Sequence, residues 1–250
     1  MWIITLLCGA AFGFAFGLTG VGSVFAVPML AYIIGLPPHV AVCVSMVSVS
    51  SCGFLASILK CRAGEVEIRA GAIMAAGGVA GAPFGACIGE MLPGKSLMLM
   101  FAVFVAAIAV RMLTEKREPG LSAPRSATAG GTTLALSLAG LSVGIVAGLL
   151  GVGGVLIAPS LVLLAGVPIH RAIATTLPVI FVISISAISS HFLGGQRVPP
   201  TTTVVFALAG AVGMLGGMQV AHRLSGRRLQ LVFAVAMLVV AAFIVARSLG

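Results

Sequence analysis

The chain contains no aspartate, and its five acidic residues are all glutamates. Charged residues make up only 8% of the 250 residues, while hydrophobic residues make up 60%. Soluble globular domains are about one quarter charged, so this composition lies far outside their usage. No segment is polar enough to form a soluble domain of appreciable size. The mean hydropathy of +1.24 predicts a membrane protein instead.

Signatures of catalytic, metal and nucleotide sites are also missing. The glycine-rich stretches are not followed by Lys-Ser or Lys-Thr, and no βαβ pattern surrounds them, which excludes a P-loop and a dinucleotide fold. The cysteines all lie in the first half without CxxC spacing, and we interpret them as small apolar helix residues: Cys8, Cys43, Cys52, Cys61 and Cys87. We therefore predict no catalytic residue, no metal and no cofactor.

Positive charge is in excess, with 14 Lys and Arg residues and a net charge of +9. These residues stand at the ends of apolar runs and do not cluster on one segment, which argues against nucleic-acid binding. Apolar runs longer than about 18 residues recur along the chain and predict several membrane-spanning helices. Residues 1–20 lack a basic start and carry half of a repeated motif, so we do not expect a cleaved signal peptide.

An internal repeat organises the chain. The stretch GFAFGLTGVGSVFAVPML, from Gly13 to Leu30, recurs 131 residues later as GIVAGLLGVGGVLIAPSL, with nine of eighteen positions identical. A second stretch, GLPPHVA from Gly35, is mirrored by GVPIHRA from Gly166. We therefore predict a first membrane repeat at 1–113, a cytoplasmic linker at 114–126 and a second membrane repeat at 127–250. The predicted helices cover 2–18, 23–35, 40–59, 70–91, 96–113, 129–149, 154–166, 171–192, 201–222 and 228–248.

The distribution of positive charge favours one topology. If each glycine-broken segment turned back as a hairpin, one side of the membrane would carry 11 basic residues and the other 3. If each were a single crossing, the division would be 9 against 5. The positive-inside rule favours the first arrangement. We predict an all-α polytopic protein with two inverted repeats, each a glycine-broken re-entrant hairpin plus three spanning helices; the alternative is 4+4 plain spanning helices.

The two copies of G-x-x-x-G-L-x-G-x-G-[GS]-x-x-x-x-P-x-L, each followed by G-[LV]-P-x-H-x-A, resemble the sulfite exporter TauE/SafE family. This family is also called the 4-toluene sulfonate uptake permease family, and the resemblance covers essentially the whole chain. It implies a multi-pass transporter of the bacterial inner membrane that moves sulfite, sulfoacetate and other organosulfur anions. The chain departs from an exact repeat at Ser23, where the second copy has Gly154.

The glycine breaks are the candidate substrate site. Glycines permit positive φ and close backbone approach, so consecutive N–H groups and the start of a short helix can face an oxyanion. Hydroxyls that follow the breaks can donate to it as well. The predicted substrate-binding residues are Gly20, Gly22, Ser23, Ser45, Gly151, Gly153, Gly154, Thr175 and Thr176, and the hairpin-shaping residues are Gly17, Pro28, Gly148 and Pro159. The alternative is that these glycines only allow close helix packing, the role that we assign to the Gly77, Gly81, Gly85 and Gly89 stripe.

No carboxylate lies in the middle of a span, so coupling to protons or sodium has no obvious residue. Export of an anion from a cell with a negative interior gains about 2.3 kcal/mol per 100 mV and needs no coupling ion. We predict a secondary transporter or facilitator for small organosulfur oxyanions, with export favoured. We expect its partners to be that anion and the lipid bilayer, and no nucleic acid. The sequence leaves open whether the protein forms a homo-oligomer. The alternatives are a membrane scaffold without transport and an intramembrane hydrolase built on Ser23 and His191.

Overall fold

The computed structural model describes residues 2–20, 22–114, 129–152, 154–221 and 226–249. Within these ranges every regular element is a helix, which confirms the all-α prediction. In chain order the helices are α1 (Trp2–Thr19), α2 (Ser23–Pro28, extended by a π-helical turn, Met29–Ile33), α3 (Pro38–Arg62), α4 (Ile68–Met91), α5 (Gly94–Thr114), α6 (Ala129–Leu150), α7 (Gly154–Ala165), α8 (Ile169–Leu193), α9 (Pro200–Ala221) and α10 (Gly226–Leu249). Seven of them are long and apolar enough to cross a membrane. Residues 115–126 of the predicted linker lie outside the described residues.

The internal repeat reappears in the backbone conformation. Glycines with positive φ occur in pairs that are 131 residues apart: Gly20 and Gly151, Gly35 and Gly166, and Gly64 and Gly195. Helices α3 and α8 both contain 25 residues and both begin after a proline in an extended conformation. The two halves therefore share a fold as well as a motif.

Small residues bring pairs of helices from the two repeats into close contact. Helix α1 lies against α9, and α6 lies against α4, because glycines on one helix face the backbone of the other. A Cβ added at Gly13 would collide with the carbonyl group of Gly210, and one at Gly144 with that of Gly78. Lipid tails are as apolar as the helices, so close backbone packing replaces the hydrophobic effect as the main attraction between them.

The directions of the helices show how the second glycine break is used. Helices α6 and α8 both run parallel to α4, as the close approaches show: Gly140 with Met74 and Gly148 with Ala82 for α6, and Gly71 with Thr175 and Gly78 with Ile183 for α8. Helix α7, which connects α6 to α8, must therefore return the chain to the side on which α6 began. Its 12 residues span about 18 Å, less than the roughly 30 Å of a hydrocarbon core.

An ion pair distinguishes the two topologies considered above. The carboxylate of Glu67, before α4, lies 3.5 Å from the guanidinium of Arg171, at the start of α8. If α6 and α7 together made a single crossing, these residues would lie on opposite sides of the membrane, whereas a hairpin places them on the same side. The contact therefore agrees with the hairpin.

Helices α3 and α8, which are equivalent in the repeat, run antiparallel. The rings of Phe54 and Phe181 have centroids 5.2 Å apart, while Cys43 lines a small cavity with Phe192. Residues near the start of α3 thus lie beside residues near the end of α8.

Candidate functional site

The two glycine breaks meet in the interior of the protein. A Cβ added at Gly151 would lie 3.6 Å from the hydroxyl oxygen of Ser45, on α3 of the first repeat. A Cβ added at Gly154 would lie 3.1 Å from the carbonyl oxygen of Gly20 and 4.0 Å from the methyl group of Thr176. These residues are all buried. Each break is therefore covered by residues from the other repeat.

Two hydroxyls, one at the first break and one beside the second, have no hydrogen-bond partner among the residues that the structure describes. Ser23 Oγ and Ser45 Oγ are both shielded from solvent, and neither donates to a neighbour. Serines in a membrane helix commonly donate to the carbonyl four residues earlier, as Ser48 does to Val44 at 2.9 Å. Buried polar groups nearly always have a partner, so each exception needs a reason. Ser23 and Ser45 are free donors at the site that the repeat predicts.

The two predicted threonines are already engaged. Thr176 donates to the carbonyl oxygen of Ala172 at 2.9 Å, and Thr175 donates to that of Arg171 at 2.6 Å. Thr175 also accepts from the backbone N–H of Glu67 at 2.9 Å, which fastens the α3–α4 loop to α8. Thr175 lines a groove of about 340 Å³ between α3, α4 and α8 and so lies away from the breaks.

The predicted cradle of glycine N–H groups is smaller than expected. The N–H of Gly20 donates to the Phe16 carbonyl at 2.7 Å, and that of Gly151 donates to the Ala147 carbonyl at 2.8 Å. These bonds close the last turns of α1 and α6, with φ of +70° and +74° at the two glycines. Helix α2 begins after Gly22 without a side-chain cap. The donors left at the first break are therefore the start of α2 and the hydroxyl of Ser23, while the hydroxyl of Ser45 lies beside the second break.

The other predicted residues have the following positions. Gly17 and Gly148 lie within α1 and α6, where a Cβ would collide with the backbone of α9 and α4. Pro28 ends α2 where the π-helical turn begins, and Pro159 lies inside α7. Gly153 lies outside the described residues.

A buried histidine and a glutamate come together where the sequence showed no motif. His191 Nε2–H donates to the carbonyl oxygen of Gly148 at 3.0 Å, and its Nδ1 lies 3.4 Å from Glu90 Oε1. Both ring nitrogens of His191 thus face groups other than Ser23, whose hydroxyl has no partner. The arrangement does not form the nucleophile–base pair that a hydrolase would need.

Comparison with known proteins assigns the family. The family model of sulfite exporter TauE/SafE matches residues 5–244. The chain belongs to the TauE/SafE family. Two proteins from Xylella fastidiosa, strains 9a5c and Temecula1 / ATCC 700964, both named "Probable membrane transporter protein", are 30% and 31% identical to it over 98% of this chain and 95% of their own. No solved structure matches it significantly.

This TauE/SafE protein is therefore a multi-pass membrane transporter for a small substrate, and its bacterial relatives are consistent with an inner-membrane location. Its two half-sites are chemically unequal. Ser23 starts α2 with a free hydroxyl, whereas Gly154 starts α7 with no side chain. Ser45 has a free hydroxyl, whereas the equivalent Thr176 donates within its own helix.

Proposed function

We propose that this TauE/SafE transporter moves small organosulfur or related oxyanions, such as sulfite, sulfoacetate and sulfonates, across the bacterial inner membrane, with export as the favoured direction. The observation that carries the proposal is that two buried hydroxyls have no hydrogen-bond partner among the described residues: that of Ser23, at the first break, and that of Ser45, beside Gly151 of the second. A buried polar group without a partner costs about 1–3 kcal/mol. A ligand that accepts from both hydroxyls would remove that cost.

The donors at the site suit an oxyanion. A hydroxyl can donate without carrying charge, and the uncapped start of α2 adds the partial positive charge of a helix N-terminus. A sulfonate or sulfite group offers several oxygens that can each accept a hydrogen bond. Neutral donors hold the anion less strongly than a buried Lys or Arg would, which suits a transporter that must also release its substrate.

We further propose that the two halves are inverted relative to each other in the membrane and alternate in opening the site to either side. The antiparallel course of α3 and α8 and the contact between the two breaks support this arrangement, which recurs in secondary transporters with midplane sites. The negative interior of the cell would drive an anion outward. Export then requires no separate energy source.

The test is anion flux in proteoliposomes, with sulfite, sulfoacetate, alkylsulfonates and taurine compared in one panel. We expect flux of at least one of these anions, and we expect S45A to reduce it strongly. S48A is the matched control because Ser48 is equally buried, one helical turn away, but donates to Val44. Absence of flux for every anion with folded protein would refute the transport proposal. Equal flux for S45A and S48A would refute the site.

A further inference from the structure

Glu90 and His191 connect three helices at one end of the molecule. Glu90 is in the last turn of α4, His191 is in the last turn of α8, and Gly148 is in the last turn of α6, three residues before the second glycine break. The side chains of His191 and Glu90 are 5% and 26% exposed. Glu90 Oε1 and His191 Nδ1 are both shielded from solvent and, at 3.4 Å, do not form a hydrogen bond.

The hydrogen bond to Gly148 determines which atom of His191 is left to accept a proton. A carbonyl oxygen can only accept, so Nε2 carries a hydrogen in every state, and Nδ1 is the atom that gains or loses a proton. With Nδ1 empty and Glu90 ionised, two acceptors face each other without a hydrogen between them. One proton resolves this contact: on Nδ1 it creates an ion pair, and on Oε1 it creates a hydroxyl that donates to Nδ1.

We propose that Glu90 and His191 form a binding site for one proton, which holds the ends of α4, α6 and α8 together and so controls access of the transported anion at this end. The regulation of anion flux rests on the function proposed above, whereas the proton site does not. When the pair loses its proton, its net charge changes from zero to −1, and repulsion between the two acceptors favours separation of α4 from α8.

The opposite end of the molecule carries a different pair at the equivalent position. Lys60 stands 131 residues before His191 and binds Glu65, with Nζ and Oε2 2.7 Å apart. An imidazole ordinarily changes its charge between about pH 5 and 8, whereas an ammonium stays charged over that range. The two ends therefore have equivalent backbones but should respond differently to pH.

The cavities at the two ends differ as well. The groove beside Lys60 and Glu65 has a volume of about 340 Å³ and includes Cys61 and Pro178 in its lining. At the other end the equivalent positions are Phe192 and Val47, which line a cavity of about 10 Å³ together with Cys43, Ile188 and His191. The end that holds the Glu90–His191 pair thus has the smaller of the two cavities.

Few other groups near the pair can titrate. Helices α6 and α7 carry no ionisable side chain, and α3 contributes the thiol of Cys43 to the cavity. His39, Lys95 and Arg197 lie near this end of the chain's helices, but in the described part of the chain none of them forms an ion pair with Glu90. The pH response should therefore depend on Glu90 and His191.

The first test is flux of an alkylsulfonate, whose own charge stays constant, at equal pH on both sides of proteoliposomes from about pH 5.5 to 8.5. We expect wild-type flux to rise with pH, by no more than tenfold per unit, as for one proton. E90Q should give low flux at every pH because its amide can donate to Nδ1 as the protonated pair does. E90A should give high flux at every pH because it removes the side chain that connects α4 to α8. E65Q is the control and should keep the wild-type response.

The second test requires no transport. A variant that keeps Cys43 but replaces the other four cysteines with alanine is labelled with a small thiol reagent, with and without E90Q. The carboxylate of Glu90 acts on the Cys43 thiol itself, so the thiol is titrated in each protein and the labelling rates are compared per thiolate. The ratio of these corrected rates reports the pair. We expect the labelling rate with Glu90 present, divided by the rate with E90Q, to rise with pH as this end opens.

The outcomes separate the two proposals. A rising labelling ratio without flux of any anion would refute the proposed function and leave the proton site intact. Anion flux whose pH response persists in both E90Q and E90A would overturn the proton site. So would a labelling ratio that does not change with pH.

Discussion

Replacing Ser45 with alanine should stabilise the protein while weakening its binding of anions. Ser45 Oγ is buried and has no partner, so the folded protein loses the hydration of this hydroxyl without gaining a hydrogen bond. S45A removes the unsatisfied group and leaves only a small void. Ser48 again provides the comparison, because S48A removes a hydroxyl that donates to Val44 at 2.9 Å.

The magnitudes follow from the same geometry. An unsatisfied buried polar group costs about 1–3 kcal/mol, so S45A should raise the free energy of unfolding by about 1 kcal/mol once the void is allowed for. A hydrogen bond from a hydroxyl to a charged acceptor contributes about 1.5–3 kcal/mol. Its loss should raise the Kd for the anion about 10- to 100-fold, because 1.4 kcal/mol corresponds to a factor of ten.

The assay is reversible unfolding in detergent, with and without the anion that gives flux. A ligand present at 100 times its Kd stabilises the folded state by about 2.7 kcal/mol. Wild type and S48A should show this gain at a concentration where S45A, with its 10- to 100-fold higher Kd, gains only about 0.4–1.4 kcal/mol. If S45A is less stable than wild type without ligand and is stabilised equally by the anion, the assignment of Ser45 is wrong.

Two further predictions concern packing and topology. G213A should destabilise the protein by about 1–3 kcal/mol, because a Cβ at Gly213 collides with the backbone of Ala10. G216A should cost little, because the nearest neighbour of a Cβ there is a ring carbon of Phe14 at 3.9 Å. Unfolding of the two variants side by side measures the difference, and equal stabilities would contradict the close α1–α9 contact. Single cysteines in A63C and H170C should react with an impermeant reagent from one side of the membrane, and the single cysteine in Q196C should react from the other side. If A63C and Q196C are instead labelled from the same side and H170C from the opposite side, the single-crossing topology is correct.

The repeat and its glycines could be predicted from the sequence because they depend on backbone conformation. A residue with positive φ strongly favours glycine, so Gly20 and Gly151 appear as matching letters in the two halves. The packing stripe of α4 was predictable for a similar reason, since a close helix contact requires small residues at every fourth position. The hairpins and the inverted arrangement of the repeats, which the segment lengths and the positive charges favour, stay predictions.

The hydrogen bonds of the site could not be predicted in this way. Ser45 and Thr176 occupy equivalent positions, yet Thr176 donates to its own helix and Ser45 does not. That difference depends on side-chain rotamers and on neighbours from the other repeat, which no local pattern encodes. The Glu90–His191 contact joins residues about one hundred positions apart and has no motif, because only the packing of α4 against α8 creates it.

Differences between equivalent positions determine how such a duplicated transporter can have a preferred direction. Two identical halves related by a two-fold axis would give two states of equal free energy, one open to each end, and no preference between them. Ser23 and Gly154 differ at the proposed site, where a ligand would meet both halves in either state. Lys60 and His191 differ at the ends, where each side chain can act on one opening alone. A preference between the two states, and its dependence on pH, must therefore come mainly from the ends and not from the repeated glycine motif.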